Sequence, residues 1–189
     1  ATLGGRFALV IGNGDYMELG RLKNPAADAR DVSAELEKLG FDVETLIDAD
    51  LPTMEEAVIR FGNRLSTSKK AIGFFFYAGH GVQSGGVNYL IPADARIPTE
   101  SYLKTKALSA QAVLDTMQEA KNELNIVVLD ACRDNPFSWA RSGTRGLSVV
   151  GIQPPGSIVV YSTSAGRVAL DGTGRNGIFT AELLKHLSA

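Results

Sequence analysis

The stretch "AIGFFFYAGHG", residues 71–81, is the most continuous apolar run in the chain. A strand with one face in water would show a polar residue at every second place. From Ile72 to Ala78 the only polar group is the Tyr77 hydroxyl, so both faces of this strand must be covered. "RFALVIG" (6–12), "LNIVVLDA" (124–131) and "SIVVYSTSAG" (157–166) read as further buried strands, and "FDVETLID" (41–48) alternates like one. Helical periodicity fills the gaps between them. "NPAADARDVSAELEKLG" (24–40) has Asn24 as a cap, Pro25 at its first position, Gly40 at its end, and Val32, Leu36 and Leu39 on one face. "TMEEAVIRFGNRLST" (53–67), "SAQAVLDTMQEAK" (109–121) and "NGIFTAELLKHLS" (176–188) follow the same pattern, and "GVQSGGVNYLIPAD" (81–94) reads as a hairpin turning on Gly85 and Gly86. Strands alternating with helices predict an α/β three-layer sandwich: a mostly parallel central sheet with helices on both faces. One domain, residues 1–189, is expected, with no internal repeat and no linker.

Composition narrows the function. With 189 residues, 44% hydrophobic and 21% charged, the chain suits one ordinary globular domain. A formal charge of −2 offers no basic face for nucleic acid. No apolar run reaches the length needed to span a membrane. A soluble chain is expected, with the cytoplasm as its compartment. It begins at Ala1 and has no signal-peptide pattern, so a processed form or a piece of something longer, with flanking domains, is expected. A single cysteine excludes an internal disulfide and a multi-cysteine zinc site, and the two histidines and scattered acids show no metal-ligand spacing.

Reactive groups in open α/β sheets gather beyond the carboxyl ends of the strands. His80 lies in "GHG" at the end of one buried strand, and Cys132, in "DACRD", ends another. If those strands are parallel neighbours, an imidazole meets the only thiol. A free thiol is mostly protonated at neutral pH and needs such a base to become a nucleophile. The amides of Gly81 and Cys132 are candidate donors to an oxyanion. Either residue alone is unremarkable, since a lone cysteine at a strand end is commonly a small buried apolar residue. Their joint placement is what points to catalysis. His186, on the closing amphipathic helix, reads as surface. "GNGD" (12–15) lacks the lysine and glycine spacing of a phosphate loop and reads as a turn.

These motifs resemble those of the caspase-like cysteine peptidases, a clan that includes metacaspases and bacterial orthocaspases. In caspases the catalytic histidine precedes an alanine-cysteine motif by about 50 residues, the spacing of His80 and Cys132. "ALVIGNGDY" and "LKNPAADARDV" are similar to the first strand and helix of the large subunit. "SIVVYSTSAGRVALDGTGRNGIFTAELLKHL" is similar to the small subunit. The resemblance implies large-subunit-like residues 1–132, a linker loop 133–156 and small-subunit-like residues 157–189.

Departures from the caspase pattern bear on specificity. Caspases have glutamine where this chain has Asp130, and their substrate-binding arginine aligns with Leu22, beside Arg21. Metacaspases are similar to this chain in having an aspartate at the Asp130 position and an acid matching Asp28, and they cleave after Arg or Lys. The resemblance therefore implies Asp28 and Asp130 as the floor of a pocket for a basic P1 residue. A first-turn acid such as Asp28 is also what a helix dipole favours. Ser162 and Ser164 are expected in the cleft, and Arg141 and Arg145 become self-cleavage sites of an enzyme with basic specificity. The His-Ser-Gly that commonly follows a metacaspase cysteine is replaced here by Arg133-Asp134-Asn135. Trp139 either covers the cleft or anchors its loop. Some metacaspase relatives need calcium, but no EF-hand pattern is present and no cofactor is expected. The expected function is a cysteine endopeptidase acting on peptides or proteins, with no nucleic-acid or membrane partner. A caspase-fold interaction module with an idle dyad, or a redox sensor needing a partner's thiol, are the alternatives.

Overall fold

The computed structural model describes residues 4–132, 135–139, 147, 155–162 and 174–188, and for Cys132 it describes the backbone. Five parallel strands form the main sheet in the order β2 (Asp42–Ile47), β1 (Arg6–Gly12), β3 (Ile72–Ser84), β6 (Leu124–Cys132) and β7 (Ser157–Tyr161). Beyond its parallel section β3 continues into an antiparallel ribbon with β4 (Val87–Leu90) and the short β5 (Leu108–Ser109).

Alternation along the strands sorts the core into two layers. Leu9, Phe75, Val127 and Val159 lie in register across the sheet. They face α2 (Leu51–Leu65) and α4 (Ala110–Glu119), which bury Met54, Phe61, Leu65, Val113, Leu114 and Met117 against them. Ala8, Val10, Phe74, Phe76 and Val128 point the other way. They meet Ala29, Val32 and Leu36 of α1 (Pro25–Lys38) and the half-buried Phe179, Leu183 and Leu184 of α5 (Ile178–Leu187). Phe74, Phe75, Phe76 and Tyr77 are all 3% exposed or less, the two-sided burial that the uninterrupted apolar run predicts. The three-layer sandwich expected from the sequence is the observed architecture.

Local details depart from expectation. β3 does not end at His80 but runs on to Ser84, because its partner changes rather than its conformation. The hairpin turns on Gly85 (φ 56°) and Gly86 (φ 80°), the left-handed pair a two-residue loop requires. Asn24 sits at the start of α1 with φ −94° and ψ −28° and makes no side-chain cap bond; a capping residue needs an extended backbone to swing its side chain over the first amides. Leu39 is 36% exposed rather than part of the buried face. It lies in the helix terminus, where Phe41 N donates to Leu36 O and Gly40 N to Glu37 O, a Schellman closure that turns the chain away. Helix α2 begins earlier than its periodicity suggests, with Asp50 accepting from Thr53 N at 2.9 Å. A short helix, α3 (Leu103–Lys106), and β5 are elements the sequence pattern did not predict. No helix among the described residues is long and apolar enough to cross a membrane.

Candidate active site

The pairing of β3 with β6 puts His80 directly opposite Cys132, the last pair in their parallel register. Two tyrosines fix the backbone at this crossing. Tyr16 Oη accepts from His80 N at 2.8 Å, and Tyr77 Oη donates to His80 O at 2.7 Å. Gly79 could be nothing else, since a Cβ there would lie 2.6 Å from both tyrosine hydroxyls and its φ is 156°. A Cβ on Gly81 would lie 2.9 Å from those of Ala131 and Leu147 Cγ. The two glycines that flank the histidine are thus demanded by packing.

The imidazole is held in one orientation. His80 is 7% exposed, its ring lies 4.6 Å from that of Tyr16, and Nε2 donates to Gly20 O at 2.8 Å. A carbonyl can only accept, so Nε2 carries the proton and Nδ1 the lone pair. Nδ1 is buried and has no hydrogen-bond partner among the described residues. Burial pushes the histidine below its ordinary pKa, and the Gly20 carbonyl offsets this in part; the ring is a neutral base at physiological pH. Gly20 is the orienting group that sequence reasoning left unnamed. A backbone carbonyl reached across the fold leaves no residue-type signal.

The Gly81 amide is turned toward β6 rather than into the ribbon. Ile91 N donates to His80 O, which makes 80 and 91 the hydrogen-bonded pair of the antiparallel ribbon and 81 and 90 the non-bonded one. The Gly81 N–H therefore points away from β4. The turn "GNGD" is no anion site: the amides of Gly14 and Asp15 both donate to Asp48 Oδ1 at 2.8 Å.

On the sheet face that carries α1 and α5, two carboxylates converge at the start of α5. Asp28, 2% exposed, accepts from Gly177 N through Oδ1 at 3.0 Å. Asp130 Oδ2 accepts from Thr180 Oγ1 at 2.7 Å, and Ser162 also hydrogen-bonds its carboxylate. Desolvation pushes Asp28 up to about 6; bonds from Asn176 and Gly177 pull it back and the nearby charge of Asp130 raises it further. Desolvation likewise raises Asp130, against the bonds from Thr180 and Ser162. Among the described residues no lysine or arginine forms an ion pair with either acid. Two acids far apart in sequence thus share one small polar site, with no cation paired to it among the described residues. Sequence reasoning missed Thr180, Asn176 and Gly177, whose roles depend on α5 docking against α1. Arg175, next to them, reinforces that docking through a two-point contact with Asp31 at 2.8 Å.

Other expected residues are dispersed. Leu22 packs in the small cluster beneath the ribbon and Arg21 pairs with Asp15 at the surface. Trp139 anchors its loop, stacking on Phe137 and donating Nε1–H to Ile97 O at 2.8 Å. His186 is exposed. Ser164, Arg133, Arg141, Arg145 and the Cys132 side chain lie outside the described residues. No group of three or more His, Cys, Asp or Glu side chains among the described residues is arranged to hold a metal.

The family model of the C14 peptidase caspase domain matches residues 5–189. The chain is 37% identical over 128 residues to the human mucosa-associated lymphoid tissue lymphoma translocation protein 1, and equally so to its mouse homologue. Those matches cover 68% of this chain but only 15% of either relative. Among solved structures, the Drosophila initiator caspase Dronc is similar in fold, with a TM-score of 0.63 at 13% identity over 98% of this chain and 64% of that one. Protein GSU0716 from Geobacter sulfurreducens gives 0.52 at 21% identity over 68% of this chain and 50% of its own.

Proposed function

Since this chain belongs to the caspase-domain family of cysteine peptidases, we propose that it is an endopeptidase that cleaves after Arg or Lys using Cys132 and His80. The observation that carries the proposal is the register of β3 and β6, which sets the only cysteine opposite a buried, neutral histidine oriented by Gly20. His80 takes the thiol proton on Nδ1. The thiolate attacks the carbonyl carbon of the scissile bond, and the amides of Gly81 and Cys132 donate to the resulting oxyanion. Collapse breaks the C–N bond as the imidazolium returns its proton to the leaving amine. A thioester remains. Water, deprotonated by His80, then hydrolyses it and regenerates the thiol.

The choice of a basic P1 residue is supported by Asp28 and Asp130. A guanidinium fork between two carboxylates bonds and neutralises both. The substrate is accordingly a peptide or protein with Arg or Lys at P1, and Ser162 assists as a hydrogen-bond donor to Asp130. Arg141 and Arg145 are the matching self-cleavage sites; incubation of the purified protein followed by intact-mass measurement should yield fragments ending at one of them.

The test is hydrolysis of short fluorogenic peptides with Arg, Lys or Asp at P1. Wild type should cleave the Arg and Lys substrates, Cys132→Ala should cleave none, and Asp130→Asn should lose most activity on Arg. Preference for Asp, or activity surviving in Cys132→Ala, would sink the assignment.

A further inference from the structure

We infer that Gly177 is a specificity-determining residue: the side chain it lacks would project into the gap between Asp28 and Asp130, and leaving that gap unfilled is what admits a guanidinium. The inference rests on the reading of those two acids as the P1 pocket.

The glycine is not explained by its backbone. At φ −60° and ψ 152° Gly177 adopts a conformation open to every residue. It occupies the N-cap of α5, where Ser, Thr, Asp or Asn would add a hydrogen bond to the first turn, and it supplies none. What distinguishes the position is its surroundings. A Cβ there would lie 3.2 Å from Asp28 Oδ2 and 3.7 Å from Asp130 Oδ2, with no other described atom outside the adjoining residues within 4 Å. Its α-carbon thus stands beside both carboxylates.

The hydrogen bonds already present decide which oxygens face the gap. Gly177 N bonds Asp28 Oδ1 and Asn176 also hydrogen-bonds this carboxylate; because each carboxylate oxygen can accept more than one donor, Asp28 Oδ2 retains a place for a ligand. Thr180 holds Asp130 Oδ2 in place with one donor, and an ionised carboxylate oxygen can accept a second. A guanidinium offering two N–H groups could therefore bridge Asp28 Oδ2 and the Asp130 carboxylate. A methyl at 177 acts against it twice. It narrows the approach, and it displaces water from the acid pair, which favours their uncharged forms. A guanidinium is planar and broad while an ammonium is compact, so the loss should fall more heavily on Arg than on Lys.

The experiment measures kcat and KM for Arg- and Lys-P1 peptides with wild type, Gly177→Ala, Gly177→Ser and Gly174→Ala. Position 174 lies on the same approach to α5, and a Cβ there meets nothing within 4 Å. Thermal melting and the rate of Cys132 alkylation by iodoacetamide, which does not need the pocket, report on fold and dyad. Gly177→Ala should lower kcat/KM for Arg by about tenfold or more, chiefly through KM, and narrow the Arg-to-Lys ratio, with melting and alkylation unchanged. Gly177→Ser gives the chain a capping hydroxyl while filling the same gap, and should show the same loss. Gly174→Ala should behave as wild type. If wild type cleaves after Arg and both 177 variants stay within twofold of it, the inference is overturned while the pocket reading stands. If wild type cleaves neither substrate, the pocket reading fails and takes the inference with it.

Discussion

Gly20 and His80 are joined by a 2.8 Å hydrogen bond from Nε2 to the carbonyl, which holds the imidazole in the tautomer that leaves Nδ1 basic. Burial lowers the pKa of this ring from 6.5, so the neutral form persists until the pH drops below that value. The acid limb of kcat, measured with saturating Arg-P1 substrate so that binding does not enter, should lie below pH 6.5. A limb centred above it would mean that burial does not dominate the histidine's titration.

Tyr16 supports the same ring from beneath and its hydroxyl accepts the His80 amide. Tyr16→Phe keeps the ring contact but strands a buried N–H, at a cost of about 1–3 kcal/mol. Denaturant unfolding should detect that loss. kcat should fall with little change in KM, because the variant shifts the base and leaves Asp28 and Asp130 untouched.

Thr180 donates to Asp130 and is fully buried. Thr180→Val preserves shape and removes the donor, so Asp130 loses one of the two bonds that oppose its desolvation. KM for an Arg-P1 peptide should rise several-fold and its dependence on pH should move to higher pH, whereas iodoacetamide alkylation of Cys132 should not change. An unchanged KM profile would show that Asp130 does not need this hydroxyl.

Asp28 links stability to pH with a defined sign. Its folded pKa, about 6, is raised above the ordinary 3.8. Its stabilising contribution is therefore complete below the unfolded value and is lost as pH rises through about 6. Asp28→Asn should gain melting temperature relative to wild type at pH 7.5 and show no such gain at pH 4. Since a P1 cation favours the ionised acid, KM for Arg in wild type should fall between pH 5 and pH 7.

Gly79 tests the crossing itself. Gly79→Ala would force a Cβ to within 2.6 Å of the Tyr16 and Tyr77 hydroxyls, and overpacking of this kind typically costs about 1–3 kcal/mol. Chemical denaturation should register a loss of that size together with a fall in kcat, as the hydroxyls that hold His80 are pushed away.

The apolar run at 71–81 and the alternation of strands with helices were enough to define the layered sheet, because burial on two faces demands uninterrupted hydrophobicity that any reader of the chain can see. His80 and Cys132 were legible for a related reason: parallel strands of similar length bring their carboxyl ends to one edge. Asp28 and Asp130 could be paired only through the family resemblance, since nothing in either local segment refers to the other. Tertiary structure alone decided the rest. The Gly20 carbonyl, the two tyrosine hydroxyls and the bond from Thr180 are contacts across the fold, made by groups that nearly every chain contains. Gly177 is the sharpest case. Its letter is an ordinary helix-start glycine, and its significance appears only when α5 packs on α1 and turns the missing side chain toward two buried acids.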